Sequence, residues 1–256
     1  FLGLALVPSA TIACEETPGQ ITISVTGAQA GNEQNYYVVE IPEQGQTTVT
    51  ITGSGQTPCP TEAEKCTCQH NTDKLIPEKD GALKYTFSPM GAGNQDANNG
   101  PKVTWDVNSS TSPGEYKFKV TEIKQDYKAC PQGWAGGVAS KSNTQESEEV
   151  TVLAFKIEIT GSHQAIESQD SNEFEAKVTP AAASPSAYNW LDGAPDAWPN
   201  GSGNNPQLDY SAPQANKTKV KKTRWFAPTN NRRQLVDGNI CTYKVNCEVT
   251  IKGVNS

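Results

Sequence analysis

The chain has 256 residues and a net charge of −7, long enough for one large or two ordinary domains. That acidic balance suits a soluble extracellular surface and argues against general nucleic-acid binding. Its 35% hydrophobic and 19% charged residues are globular proportions, and 21 Gly with 17 Pro supply many turns. After residue 13 nothing approaches the roughly 18 consecutive apolar residues of a spanning helix.

Residues 1–13, FLGLALVPSATIA, carry no charge and read as the apolar core and cleavage region of an export signal. An opening Phe with no Lys/Arg run before it is expected of a chain that has lost its first residues, and the C-terminus is open to the same reading. Thr11-Ile12-Ala13-Cys14 resembles a bacterial lipobox, with Thr where Leu is usual. That resemblance implies acylation of Cys14, and a lipid anchor there is the only membrane attachment expected. Ordinary cleavage after Ala13, with Cys14 a bystander, is the alternative.

Strands follow. Ile21, Ile23 and Val25 alternate with polar residues, then Tyr37, Val39 and Ile41, then Val49 and Ile51. Further inward sets are Leu83-Tyr85-Phe87, Val103-Trp105-Val107 and Tyr116-Phe118-Val120. Period-two alternation bounded by Gly, Pro, Asn and Ser marks half-buried antiparallel strands. In Glu148–Gly161 the apolar residues change parity, from Val150 and Val152 to Phe155, Ile157 and Ile159. A one-residue shift moves side chains to the opposite face, so one strand is expected to end and another to begin at Leu153–Ala154. The predicted domains are therefore 14–153, with insertions near 58–78 and 124–147, and 154–256. The second repeats the pattern in Phe174-Ala176-Val178 and Tyr188-Trp190, and closes on a long strand from Cys241 to Lys252.

Seven cysteines occur, at 14, 59, 66, 68, 130, 241 and 247. Without Cys14 six remain, an even number that suits disulfides in an oxidising compartment. Adjacent-strand geometry disfavours Cys66–Cys68, so one of these is expected to reach Cys130 and the other Cys59. Cys241 and Cys247 lie about 20 Å apart on an extended strand, whereas a disulfide needs Cα atoms within about 7 Å. Either a distorted strand carries that bond or both are buried free thiols. Cys59-x6-Cys66-x-Cys68-x-His70 offers soft ligands for Zn²⁺ or Cu⁺. Its C-x-C spacing is not that of common zinc knuckles, and no metal site or cofactor is assigned.

No catalytic motif accompanies His70 or His163; His163 reads as a turn residue. Neighbouring acids such as Glu15–Glu16 and Glu148–Glu149 face opposite ways in a strand, so glycosidase-type pairing has no support. Asn94-x-Asp96-x-Asn98-Asn99-Gly100 has alternate oxygen ligands but no Gly at the sixth position, and Trp105 stands where a bidentate Glu belongs. It reads as a hairpin loop. Lys217, Lys219, Lys221, Lys222, Arg224, Arg232 and Arg233, with Trp225 and Phe226 among them, form a segment free of acids. Basic residues interleaved with aromatics can grip an anionic glycan, a lipopolysaccharide or a nucleic-acid backbone, while lysines also guard edge strands against pairing; the edge strand is the expectation. Asn108, Asn200 and Asn216 stand in glycosylation sequons, which matter only in a eukaryotic secretory pathway.

Residues Pro113–Ile123, PGEYKFKVTEI, resemble the penultimate strand of bacterial immunoglobulin-like and PKD-like domains. There a Gly-x-Tyr opens the strand and the tyrosine hydroxyl ties the corner to the backbone. Trp105 occupies the place of their central core aromatic, and FEAKVTP followed by SAYNW resembles earlier strands. The resemblance spans most of residues 20–254 and implies an all-β fold of two tandem immunoglobulin-like antiparallel sandwiches. It further implies an exported cell-surface module for adhesion, spacing or assembly, not an enzyme, with a surface polysaccharide or protein as partner and no nucleic acid. A carbohydrate-binding module stacking sugars on Trp134, Trp190, Trp198 or Trp225 is the alternative. A hydrolase would need a cleft the sequence does not announce.

Overall fold

The computed structural model describes residues 14–15, 17–59, 67–68, 71–72, 83–89, 93–126, 140–161, 170–192, 207–224 and 245–255. Within them the chain is all-β, with one short 3-10 turn at Ala181–Ala183. Strands of four residues or more are β1 (Thr22–Thr26), β2 (Tyr36–Glu40), β3 (Gln46–Ser54), β4 (Leu83–Phe87), β5 (Lys102–Asn108), β6 (Gly114–Phe118) and β7 (Val120–Asp126). They continue as β8 (Ser140–Asn143), β9 (Val150–Thr160), β10 (Asp170–Thr179), β11 (Ala187–Asp192), β12 (Gln207–Tyr210), β13 (Lys217–Arg224) and β14 (Val245–Ile251).

Contacts group the chain into two compact units. The first comprises Phe1–Ala28, Gln44–Ser109 and Glu115–Val152; the second comprises Gln29–Glu43, Ser110–Gly114 and Leu153–Ser256.

In the first unit, Asn94–Gln95, β5, β3 and β1 form a four-stranded antiparallel sheet in that order. A second antiparallel sheet runs β8–β7–β4. Alternation turns Val49 and Ile51 of β3 and Val103, Trp105 and Val107 of β5 inward, all buried. The other sheet contributes buried Tyr85, Phe87, Val120 and Ile123. The two inner faces meet closely at two glycines. A Cβ on Gly53 would lie 2.7 Å from Val120 Cγ2, and one on Gly55, at φ +154°, 2.7 Å from Ile123 Cδ1. This is sheet-on-sheet sandwich packing. Trp105 completes the core, its ring 4.4 Å from that of Tyr116 and 6.4 Å from that of Phe118. Buried Asn143 is tied to backbone there: its Nδ2 donates to Gly19 O and Gln56 O at 3.2 and 3.1 Å.

In the second unit a larger sheet runs β12–β13–β10–β9–β2 and ends on Gln29–Ala30. β11, β14 and Val254–Asn255 form a separate sheet. Tyr36 and Val38 of β2, Leu153 and Phe155 of β9, Ala183, Val249 and Ile251 of β14, and Val254 make one buried cluster. Lys252 closes it: its Nζ lies 2.8 Å from a Glu33 carboxylate oxygen and 5.2 Å from the Tyr36 ring centroid.

Three strand expectations need correction. The parity change at Leu153–Ala154 is not a break, because β9 runs unbroken from Val150 to Thr160. Val152, Leu153, Ala154 and Phe155 are all buried; where both faces are covered, apolar parity no longer reports strand ends. In β2 it is Tyr36 and Val38 that join the core cluster, although Val39 and Ile41 are buried too; Tyr37 is only half-buried. The closing strand ends at Ile251, where Lys252 and Gly253, at φ +50° and +82°, turn the chain back. Its expected start at Cys241 lies outside the described residues.

Candidate functional site

The basic segment is the sequence feature with the strongest claim to a ligand. It begins after a turn held by Trp190. The Trp190 indole Nε1 donates to Ala215 O at 2.7 Å, and its backbone N–H donates to Pro213 O at 2.9 Å. Thr218 is buried, and its hydroxyl accepts from Ala212 N at 3.1 Å. From this fixed start β13 runs between β10 and β12, paired on both sides. The expectation of a lysine-guarded edge strand is thereby corrected: β13 is interior, and β12 is the edge.

Register decides what those lysines meet. Glu175 stands opposite Lys217, Glu173 opposite Lys219 and Asp170 opposite Lys221. On the other side Asp209 also stands opposite Lys221. Lys217 Nζ lies 3.3 Å from Glu173 and 3.6 Å from Glu175. A hydrogen bond to Glu173, followed by the Glu175 charge, holds its ammonium above the ordinary lysine value. Opposite charges directly across a pair stabilise a sheet, and Lys217 is matched in this way by Glu173 and Glu175. Lys219 is exposed. Lys221 and Lys222 are placed by register only, Lys222 opposite Leu208, as is Arg224, opposite Gln207. Trp225, Arg232 and Arg233 lie outside the described residues.

Sequence reasoning missed Glu173 and Glu175 as partners of Lys217, and Asp170 and Asp209 as residues in register with Lys221. A usable signal was present: Glu173, Glu175 and Lys177 alternate with Phe174, Ala176 and Val178, so one face of β10 is charged. Lys177 continues the pattern opposite Glu158 of β9, and Glu158 lies 2.7 Å from Lys156.

The other candidates are placed as follows. Cys59 is disulfide-bonded. Its N–H donates to Glu15 O at 2.9 Å, and Cys14–Glu15 pairs in parallel with Thr57–Pro58. Cys68 lies in a two-residue strand, Thr67–Cys68, that pairs with Asn71–Thr72. Cys66, Cys130, Cys241, His70 and His163 lie outside the described residues. Cys247 is a free thiol, so of the two alternatives for Cys241 and Cys247 the bonded one is corrected and the free-thiol one stands at Cys247. It is half-buried, stands opposite Trp190 and packs on the second unit's core. Burial raises its pKa above the ordinary thiol value.

Trp190 is also corrected as a sugar platform, being 2% exposed with its N–H occupied. Trp134 and Trp198 lie outside the described residues. The Asn94–Gly100 segment is a hairpin connection. Asp96 N donates to Lys102 O at 2.9 Å, and Asn98 and Asn99 take φ +59° and +55°, the left-handed values asparagine tolerates. Gln95 Nε2 donates to Tyr85 O and Gly100 O at 2.7 and 2.8 Å, fastening the loop to β4.

Comparison with protein-family models and with curated proteins returns no match.

Proposed function

We propose that the chain is an exported, surface-attached binding or structural module of immunoglobulin-like β-sandwiches, acting in adhesion or spacing without catalysis. The observation that carries this reading is the sandwich core of the first unit. Gly114-x-Tyr116 opens β6, and the Tyr116 ring lies 4.4 Å from that of buried Trp105. The outer faces support it too. Their charges are joined in pairs, Lys117 with Glu149 at 2.8 Å and Lys119 with Glu146 at 2.7 Å, as in sheets built to persist in solvent. Fold alone does not establish function; the uncharged leader at residues 1–13 adds the export half of the argument.

An acyl group on Cys14 would join the first unit without a linker, since Cys14–Glu15 is already paired with Thr57–Pro58. The carbohydrate-binding alternative loses Trp190 to the core and would rest on Trp134, Trp198 and Trp225.

The test is intact mass of protein from native membranes, before and after reduction and alkylation. An acyl mass on Cys14, with Cys247 alkylated before reduction and Cys59 only after it, is the expected result. Recovery of unprocessed, unacylated chain from the cytosol would overturn the proposal.

A further inference from the structure

We propose that β1 is a pairing edge through which two copies of this chain join, antiparallel and across a two-fold axis at Ser24. β1 is the last strand of its sheet, and among the described residues nothing pairs with its outer side. Exposed edges invite another strand, and folded proteins usually blunt them with charge, Pro or a bulge. The other described edge strands of four or more residues each carry a charge: Lys84 in β4, Glu115 and Lys117 in β6, Lys141 in β8, Asp192 in β11 and Asp209 in β12. β1, Thr-Ile-Ser-Val-Thr, has none. Its five residues pair with β3 in unbroken register, so no bulge twists the edge away.

The strand is also nearly palindromic. A two-fold axis at Ser24 sets Thr22 against Thr26 of the other copy and Ile23 against Val25, while Ser24 meets its own equivalent. Thr–Thr and β-branched cross-strand pairs stabilise antiparallel sheets, and a two-fold contact must be self-complementary in this way. Ile23 and Val25 lie on the inner-face side, in register with Gly53 and buried Ile51, yet stay half-covered. A second β1 would cover them and make one continuous sheet, four strands from each copy. Five residues a side is a small interface, so the association is weak and concentration-dependent.

Light scattering and sedimentation of the full chain from micromolar to high-micromolar concentration test this. Mass should rise from one chain toward two. Ser24→Lys and Ser24→Asp, each placing like charges at the axis, should be monomeric alone, and mixing them should restore the dimer. Far-UV circular dichroism of each variant confirms that the exposed substitution leaves the fold intact. A monomer at every concentration, a dimer indifferent to Ser24→Lys, a failed rescue on mixing, or growth beyond two chains would overturn the proposal.

Discussion

Gln125 is the residue whose chemistry fits its surroundings least. It is 1% exposed, and neither amide atom has a hydrogen-bond partner. A buried amide left unpaired costs about 1–3 kcal/mol, while an apolar group of similar shape is neutral or better. Gln125→Met should therefore raise the urea midpoint with an unchanged slope; a lowered midpoint would show that the amide is satisfied. Gly27 behaves oppositely. It holds φ +81°, and an added Cβ would lie 2.1 Å from Thr48 O. Gly27→Ala meets both a left-handed backbone and a backbone clash, so it should destabilise by more than the roughly 1 kcal/mol by which the same change stabilises a compatible site, read as a fall in the unfolding midpoint. Cys247 adds a kinetic expectation. With its pKa raised by burial, the neutral thiol should alkylate slowly near neutral pH and rapidly in denaturant. Its linked stability is present below the ordinary thiol value and is lost as pH rises through the raised one.

Among the elements, β13 shows how a strand's neighbours redefine its charge. Lys217→Glu sets a third carboxylate beside Glu173 and Glu175. It should lower the unfolding midpoint at low salt, with the loss fading at high salt; a salt-independent loss would point to packing instead. Wild-type exposed pairs contribute little, so repulsion is the informative direction. On β9, a hydrogen bond from Lys156 holds Glu158 below its usual carboxylate value. Its contribution is present above the ordinary carboxylate pKa and fades as pH falls through the lowered one. Exposure and screening keep it small. In the first unit's core, Trp105→Ala removes a buried ring from between Tyr116 and Phe118 and should cost about 3–5 kcal/mol, measured by denaturant unfolding.

For the molecule as a whole, what the sequence by itself determined is the class: short antiparallel strands with apolar residues on every second position. Val49, Ile51, Val103, Trp105, Val107, Tyr85 and Phe87 all stand inward as alternation requires, because a side-chain period of two is a local property of extended backbone. Where both faces are covered, as in β2 and β9, alternation carried no such information. The candidate site was legible only as a run of basic residues. Its neutralising acids lie some forty residues earlier on β10, and cross-strand register is a long-range relation that no local pattern encodes. Only the tertiary structure decided that β13 is interior, that Trp190 is core, that Cys247 is free and that β1 is an uncharged edge. Each depends on which strand lies alongside, and strand pairing is chosen by burial summed over the whole sandwich rather than by the residues of one segment.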